Sequence, residues 1–486
     1  MSKLYERLLL YGNSNVSPLH MPGHKRKRDL CPIENPFAID ITEIDGFDNL
    51  HHPTGILKEA MEQAARIYGA EKSYFLVNGS SGGLLAAISA CVPRNGTILV
   101  ARNCHKSVYH GMILRELTPV YLCPGTISGW GISGEVTPEM VETAIVSHPE
   151  AKAVLLTSPT YEGICSNLRR ICEIVHERGL PLIVDAAHGA HFSFWNLCES
   201  ALSSGADLVV ESLHKTLPSL TQTAILHKNS SRINEKCLEW YLQAYQTSSP
   251  SYVFMASMDS CISYMAGEQG QKDMQVYLSN LEKFRRKVAE FSGIRLLSGQ
   301  EAGGVSYDSS KLVVQAEGWT GPELYETLRL KYGIQPEMCA KQYIILMTSL
   351  ADNDEVFHKL FDVFADIHRK CGKSCGKLKK NVDICGFPSE GGFCKGNLLP
   401  EPQVVFPPFR AMEGKKKPCP LEACEGKVSG EFAYLYPPGV PLLAPGERIT
   451  AQVLEVLKDN ERQGLEVLGP ENFQDGELLI LQEEEE

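Results

Sequence analysis

Lys215 follows the apolar run Leu208-Val209-Val210, at the end of Glu211-Ser212-Leu213-His214-Lys215. A lysine is a poor core residue there, because burying its ammonium requires a partner or a lowered pKa. A desolvated amine in such a place can condense with an aldehyde as a Schiff base and be freed again by a substrate amine. A solvated loop lysine would look the same in isolation. Its neighbours argue otherwise. Asp185 ends the run Pro181 to Val184, where a carboxylate can face a pyridine nitrogen, keep it protonated and so make the ring an electron sink. The same residue type also serves as an ordinary helix cap. His188, three residues on, can donate to a phenolic oxygen on such a ring. The segment Asn78-Gly79-Ser80-Ser81-Gly82-Gly83 leads into an Ala-rich stretch, so its backbone N–H groups and the hydroxyls of Ser80 and Ser81 would face a phosphate at a helix N-terminus. His105 follows the run Ile98 to Val100, where an imidazole can stack on a flat ring or be purely structural.

These groups need a scaffold that collects run ends at one edge. Short β-branched or Leu-rich runs at Thr97–Val100, Ala153–Thr157, Pro181–Val184 and Asp207–Val210 alternate with helical patterns, which predicts a mostly parallel α/β sheet. Ligands of such sheets bind at the carboxyl ends of the strands. Three ends are polar: Thr157-Ser158-Pro159-Thr160-Tyr161, Asp185-Ala186-Ala187-His188 and Glu211 to Lys215. One site is expected where they converge.

The wider pattern predicts four parts. Residues 1–50 read as an arm broken by Pro18, Pro22, Gly23, Pro32 and Pro36. Residues 51–270 read as the large α/β domain, entered by a helix whose stripe is Ile56, Leu57, Ala60, Met61, Ala64 and Ile67. Residues 271–370, with a helix over Gln271–Phe291 and a strand over Lys311–Gln315, read as a smaller α/β domain. Residues 371–486 read as a Cys-containing linker and a small β-rich C-terminal domain, ending in an acidic tail, Glu483 to Glu486.

Composition narrows the function. With 43% apolar and 22% charged residues the chain is an ordinary globular one, and its length of 486 residues favours two or three domains. The net charge of −12 argues against nucleic acid as a partner and suits a cationic substrate. No run of about 18 apolar residues suggests a membrane span, and the N-terminus lacks the pattern of a secretory signal, so a cytoplasmic enzyme is expected. Most of the 16 cysteines are scattered in apolar runs and read as reduced core thiols. The six late ones, Cys371, Cys375, Cys385, Cys394, Cys419 and Cys424, leave open a zinc or redox module on a non-enzymatic scaffold, although their spacing is unlike a ribbon or finger and no metal site is expected.

The ordered set Gly-Ser-Ser at 79–81, Asn-Cys-His-Lys-Ser at 103–107, Ser-Pro-Thr-Tyr at 158–161, Asp-Ala-Ala-His-Gly at 185–189 and Ser-Leu-His-Lys-Thr-Leu at 212–217 resembles the Orn/Lys/Arg decarboxylase family, major group. The resemblance extends to His20-Met21-Pro22-Gly23-His24-Lys25, to Asp45 through Gly55, and to Tyr436-Pro437-Pro438-Gly439. It implies a fold type I enzyme dependent on pyridoxal 5′-phosphate. Lys215 would hold the cofactor, with Ser212, His214, Ser80 and Ser81 beside its phosphate. His105 would stack on the ring, Asp185 would pair with the ring nitrogen, and His188 would sit where larger relatives place a Trp. The implied reaction is decarboxylation of a basic amino acid, with His214 or Lys215 returning the proton. Arginine, giving agmatine for polyamine biosynthesis, is the expected substrate by analogy with compact bacterial forms; lysine and ornithine stay open, and an aminotransferase is a more distant alternative. Glu431, or Asp45 or Asp48 from a neighbouring subunit, would recognise the substrate cation. A homodimer with shared active sites is implied, and the large rings of the enterobacterial enzymes are not expected.

Overall fold

The computed structural model describes residues 3–30, 33, 35–195, 197–371, 399–435 and 439–482. Its centre is a sheet of seven strands: β1 (Lys72–Leu76), β2 (Thr97–Ala101), β3 (Thr118–Leu122), β4 (Ala151–Thr157), β5 (Leu182–Asp185), β6 (Leu208–Glu211) and β7 (Ala224–Lys228). Their order is β1-β7-β6-β5-β4-β2-β3, and only β7 runs antiparallel to its neighbours.

The inner strands are solid apolar runs because both faces are covered. Side chains alternate across a strand, so Leu99, Leu156, Val184 and Val209 join one core cluster while Ile98, Leu155, Ile183 and Val210 join the other. On the first face lie helices Ile56–Tyr68, Leu168–Glu177, Tyr252–Ala266 and Glu268–Val288; on the second lie Gly79–Cys91, Lys106–Leu114 and Glu235–Tyr245. Each fully buried Val, Leu or Ile contributes about 1.5–3 kcal/mol relative to exposure. The predicted stripe of the first helix is turned by one position: Leu57, Met61, Ala64, Ala65 and Tyr68 are buried, whereas Ile56 in the first turn is 53% exposed.

The second domain has a four-stranded sheet with the order Ile294–Leu296, Lys311–Ala316, Ile344–Met347, Met338–Cys339, backed by helices Glu268–Val288 and Asp354–His368. The N-terminal arm is fastened to this domain. Ser17–Leu19 pairs in parallel with Ile334–Pro336, and buried Lys25 donates to the Met347 carbonyl at 2.9 Å. The C-terminal region adds an antiparallel pair of Lys416–Pro420 with Glu477–Leu481, a three-stranded sheet and helix Ala451–Arg462 around a core that includes Leu443, Leu457 and Ile480. Arg102 and Glu447, both buried and 3.1 Å apart, join this region to the large domain. Cys375, Cys385, Cys394, Tyr436-Pro437-Pro438 and the acidic tail lie outside the described residues.

Candidate active site

Parallel register brings the polar strand ends together. Thr157 of β4 is the register partner of Asp185 of β5, which is in turn the partner of Val210 on β6. After β6 the chain makes one helical turn, Leu213–Thr216, with Leu213 fully buried beneath it. His214 and Lys215 leave this turn for a cavity of about 1080 Å³ that Ser80, Ser81, His105, Asp185, His188 and Ser212 also line.

Lys215 Nζ lies 3.1 Å from His188 Nε2. Burial lowers the Lys215 pKa, against the charges of Asp185 and Glu337, and so favours the free amine that attacks a carbonyl. Asp185 is 2% exposed and accepts from the Ala187 N–H at 3.1 Å. Burial raises its pKa and the charge of Lys215 opposes the rise, so a cationic partner in the cavity would hold it ionised.

His105 is the N-cap of helix Lys106–Leu114. Its Nδ1 accepts from the Ser107 N–H at 3.2 Å, which fixes the ring at the strand edge. Burial, reinforced by the charges of Lys215 and Lys106, lowers its pKa to about 3, so the ring is neutral. His214 Nδ1 lies 2.8 Å from the Thr223 carbonyl oxygen and must be the protonated nitrogen, since a carbonyl only accepts. Burial lowers the His214 pKa to about 4, with the carbonyl contact opposing, and Nε2 remains as an acceptor.

Helix Gly79–Cys91 points its N-terminus at the same cavity, and Asn78 leaves its first amides without a side-chain cap. Gly79 has φ +69, a conformation that costs glycine little and most residues more. A Cβ on Gly83 would lie 2.5 Å from Leu76 Cδ1 and 3.0 Å from Val210 Cγ1, so a larger residue there would have to shift these side chains of β1 and β6. Among the described residues, Ser212 Oγ is buried without a hydrogen-bond partner, as are Asn103 Oδ1 and Thr157 Oγ1 nearby. A buried hydroxyl without a partner costs about 1–3 kcal/mol, a cost relieved by an acceptor that reaches it. A phosphorylated pyridine aldehyde fits this set: uncapped amides and a free hydroxyl for phosphate, a carboxylate for the ring nitrogen, and a desolvated amine for the aldehyde.

Of the carboxylates proposed for the substrate cation, Glu431 requires correction. Glu431 is outside the cavity lining, and both its oxygens are occupied: Oε1 accepts from the Leu479 N–H at 2.6 Å and Oε2 from the Glu471 N–H at 3.0 Å. Asp48 accepts from the amides of Asn49, Thr54 and Gly55 and folds its own loop, while Asp45 is exposed; neither lines the cavity from within its own chain. The carboxylates that do line it include Glu162, Glu337, Glu455, Asp459 and Glu466. Glu162 takes the Tyr343 hydroxyl at 3.1 Å and Glu337 the Tyr161 hydroxyl at 2.6 Å. Sequence reasoning also missed Lys311, which is 1% exposed and whose Nζ lies 2.9 Å from His188 Nδ1. As for the late cysteines, no group of His, Cys, Asp and Glu able to hold a metal occurs among the described residues. Nor is any helix of the described residues long and apolar enough to cross a membrane.

Fold and site together define a pyridoxal-phosphate enzyme of fold type I. The chain belongs to the Orn/Lys/Arg decarboxylase family: the family's major domain matches residues 2–323 and its C-terminal domain residues 401–467. It is 32% identical to an arginine decarboxylase of Halalkalibacterium halodurans over 99% of this chain and 98% of that one. It is 34% identical to the uncharacterized protein YaaO of Bacillus subtilis over 99% of each, and 30% identical to an arginine decarboxylase of the same organism over 96% and 95%. In fold it is similar to the lysine decarboxylase LdcF of Francisella novicida, with a TM-score of 0.76 at 21% identity over 98% of this chain and 80% of that one. Family membership sets aside the non-enzymatic scaffold.

Proposed function

We propose that this enzyme converts L-arginine to agmatine and carbon dioxide, as a step of polyamine biosynthesis in the cytoplasm. The observation that carries the reading is Lys215, its amine desolvated and 3.1 Å from His188 in a cavity shared with Asp185 and the uncapped helix of Gly79–Cys91. The full-length similarity to arginine decarboxylases supports the choice of substrate.

When bound, pyridoxal 5′-phosphate supplies the electron sink for the pair left at Cα as the carboxylate departs. Lys215 Nζ would hold it covalently in the resting enzyme. Asp185, kept ionised by the pyridinium proton it faces, would hold that proton on the ring. Ser80, Ser81, Ser212 and the first amides of helix Gly79–Cys91 would bind the phosphate. His105, neutral and pinned by Ser107, would cover one ring face without placing a charge over it. The proton returned to Cα would come from Lys215 Nζ or His214 Nε2, both at the cavity wall. Among the lining carboxylates, Glu455 and Glu466 are exposed acids on or beside the C-terminal helix, suited to meet a guanidinium.

A homodimer with shared active sites accords with the arm, where Leu4 is 72% and Phe37 89% exposed. Asp45 and Asp48 would then approach the partner's cavity. Incubating the cofactor-loaded enzyme with arginine, lysine and ornithine and identifying the amine tests the reaction. Agmatine from arginine is expected; cadaverine or putrescine as the main product would reassign the substrate. A keto acid instead of an amine would point to transamination, and no product from any of the three would overturn the reading.

A further inference from the structure

His188 stands between two lysines. Its Nε2 faces Lys215 Nζ at 3.1 Å and its Nδ1 faces Lys311 Nζ at 2.9 Å. A neutral imidazole has one N–H and one lone pair, and an ammonium has only donors. Two ammonium groups therefore cannot both be hydrogen-bonded to this ring: one lysine donates, and the other, as the free amine, accepts the ring N–H. The ring itself is held neutral, since burial and the charges of Lys215 and Lys311, with those of His105 and His214, lower its pKa well below the ordinary value.

The surroundings decide which lysine carries the charge. Lys311 opens the strand Lys311–Ala316 of the small domain and is absent from the cavity lining. Asp308 is fully buried, which raises its pKa, but His191 at 3.1 Å, Lys311 and Ser310 outweigh that and lower it, so the carboxylate supplies the countercharge on that side. Burial lowers the Lys311 pKa to about 8, with Asp308 and Glu337 opposing and Lys215 and Lys25 adding to the fall, so the ammonium still predominates at neutral pH. On the other side, condensation with the cofactor aldehyde would remove Lys215 as a competing ammonium.

We propose that Lys311 is a positioning residue for the cofactor site: its ammonium donates to His188 Nδ1 and thereby fixes the ring proton on Nε2, pointing at Lys215 and the group that Lys215 holds. The Tyr161 ring, edge-on to His188 with centroids 4.8 Å apart, holds the plane, so Lys311 has only the tautomer to set. The inference rests on Lys215 as the cofactor lysine, and Lys311 acts through His188 without touching substrate.

The tautomer can be read directly. Protein labelled with 15N-histidine, with and without pyridoxal phosphate, gives nitrogen shifts that distinguish N–H from bare nitrogen, and His188→Phe identifies the His188 signals by their loss. The unaltered, cofactor-loaded protein should show bare Nδ1 and protonated Nε2 at neutral pH. Lys311→Met, close in shape but without a donor, should lose that pattern, while Lys311→Arg should keep it. Lys311→Met should also lower kcat about tenfold with KM little changed. The opposite tautomer, or a doubly protonated ring, in the unaltered loaded protein would overturn the proposal whether or not either variant folds, and so would an unchanged pattern in loaded Lys311→Met. Failure of Lys215 as the cofactor lysine would show separately, as covalent loading that survives Lys215→Ala.

Discussion

The backbone N–H of Gly23 donates to the carbonyl of His214 at 2.8 Å, so the N-terminal arm is bonded to the turn that carries Lys215. The approach is so close that a Cβ on Gly23 would lie 2.7 Å from the Leu217 carbonyl oxygen. Ser349 Oγ donates to the Gly23 carbonyl at 2.6 Å, which ties the small domain to the same point. Arm, large domain and small domain thus meet directly behind the reactive amine. Gly23→Ala should force backbone apart at this junction, cost about 1–3 kcal/mol and loosen cofactor binding. Thermal unfolding with and without cofactor checks it; an unchanged melting temperature in both states would mean that the arm yields freely.

Lys215→Ala should abolish the near-visible absorbance of the cofactor-loaded protein and lower turnover by about 10³-fold or more, with the circular dichroism spectrum unchanged. The side chain is partly buried, and its contact is with His188 rather than with the core, so the fold has little to lose. Turnover near the starting level would show that another amine does the work.

How much of this was legible in the sequence follows from where each interaction partner sits. Thr97–Ala101, Ala151–Thr157, Leu182–Asp185 and Leu208–Glu211 announce themselves as strands because both faces are buried, and their polar ends stand out because apolar runs stop there. Asp185 and Lys215 are visible on that ground alone. Lys311 is not, because a lysine opening an apolar strand usually reaches solvent, and only the fold brings it to His188, 123 positions away in the chain. Glu431 misled for the same reason. Read locally it is an acid without a partner, but the amides of Leu479 and Glu471, 48 and 40 positions away, hold its carboxylate. Local pattern exposes which residues are awkward; the distant partners that relieve them come only with the fold.

Ser212→Ala should separate the cost of an unsatisfied hydroxyl from its use. In the cofactor-free protein Ser212 Oγ is buried with no partner, so its removal should leave the melting temperature unchanged or raise it slightly. In the loaded protein the same change should weaken cofactor binding about tenfold, or about 1.4 kcal/mol. Equal losses in both states would show that the hydroxyl supports the fold instead.

Five wholly or partly buried histidines, three of them at the cavity, predict a pH dependence of stability. The folded pKa values of His105 and His214 are lowered to about 3 and about 4, chiefly by burial, and those of His20, His24 and His188 are lowered for the same first reason. In the unfolded chain these rings take up protons near pH 6.5, so below pH 7 the unfolded state binds more protons and stability falls as pH falls. Asp352 acts with the opposite sign, since burial raises its folded pKa to about 6, and it should flatten the fall below that pH. Melting temperatures of the cofactor-free protein should therefore drop from pH 7 to pH 6 and go on falling below, with Asp352 offsetting part of the further fall. A constant or rising melting temperature from pH 7 to pH 6 would mean that these rings are not held neutral.

Glu431→Gln tests whether the C-terminal carboxylate serves structure or substrate. Its Oε1 and Oε2 each accept a backbone N–H, from Leu479 on strand Glu477–Leu481 and from Glu471 on the loop before it, so the carboxylate joins two segments of the C-terminal domain. A glutamine keeps one acceptor oxygen but turns an NH₂ donor toward the other amide, leaving a buried donor facing a donor, at a cost of about 1–3 kcal/mol. The melting temperature should fall while KM for the amino acid stays within about twofold, because Glu431 lies outside the cavity lining and each of its oxygens is already engaged by a backbone N–H. A tenfold rise in KM with unchanged stability would restore Glu431 to the substrate site and require the C-terminal domain to rearrange when substrate binds.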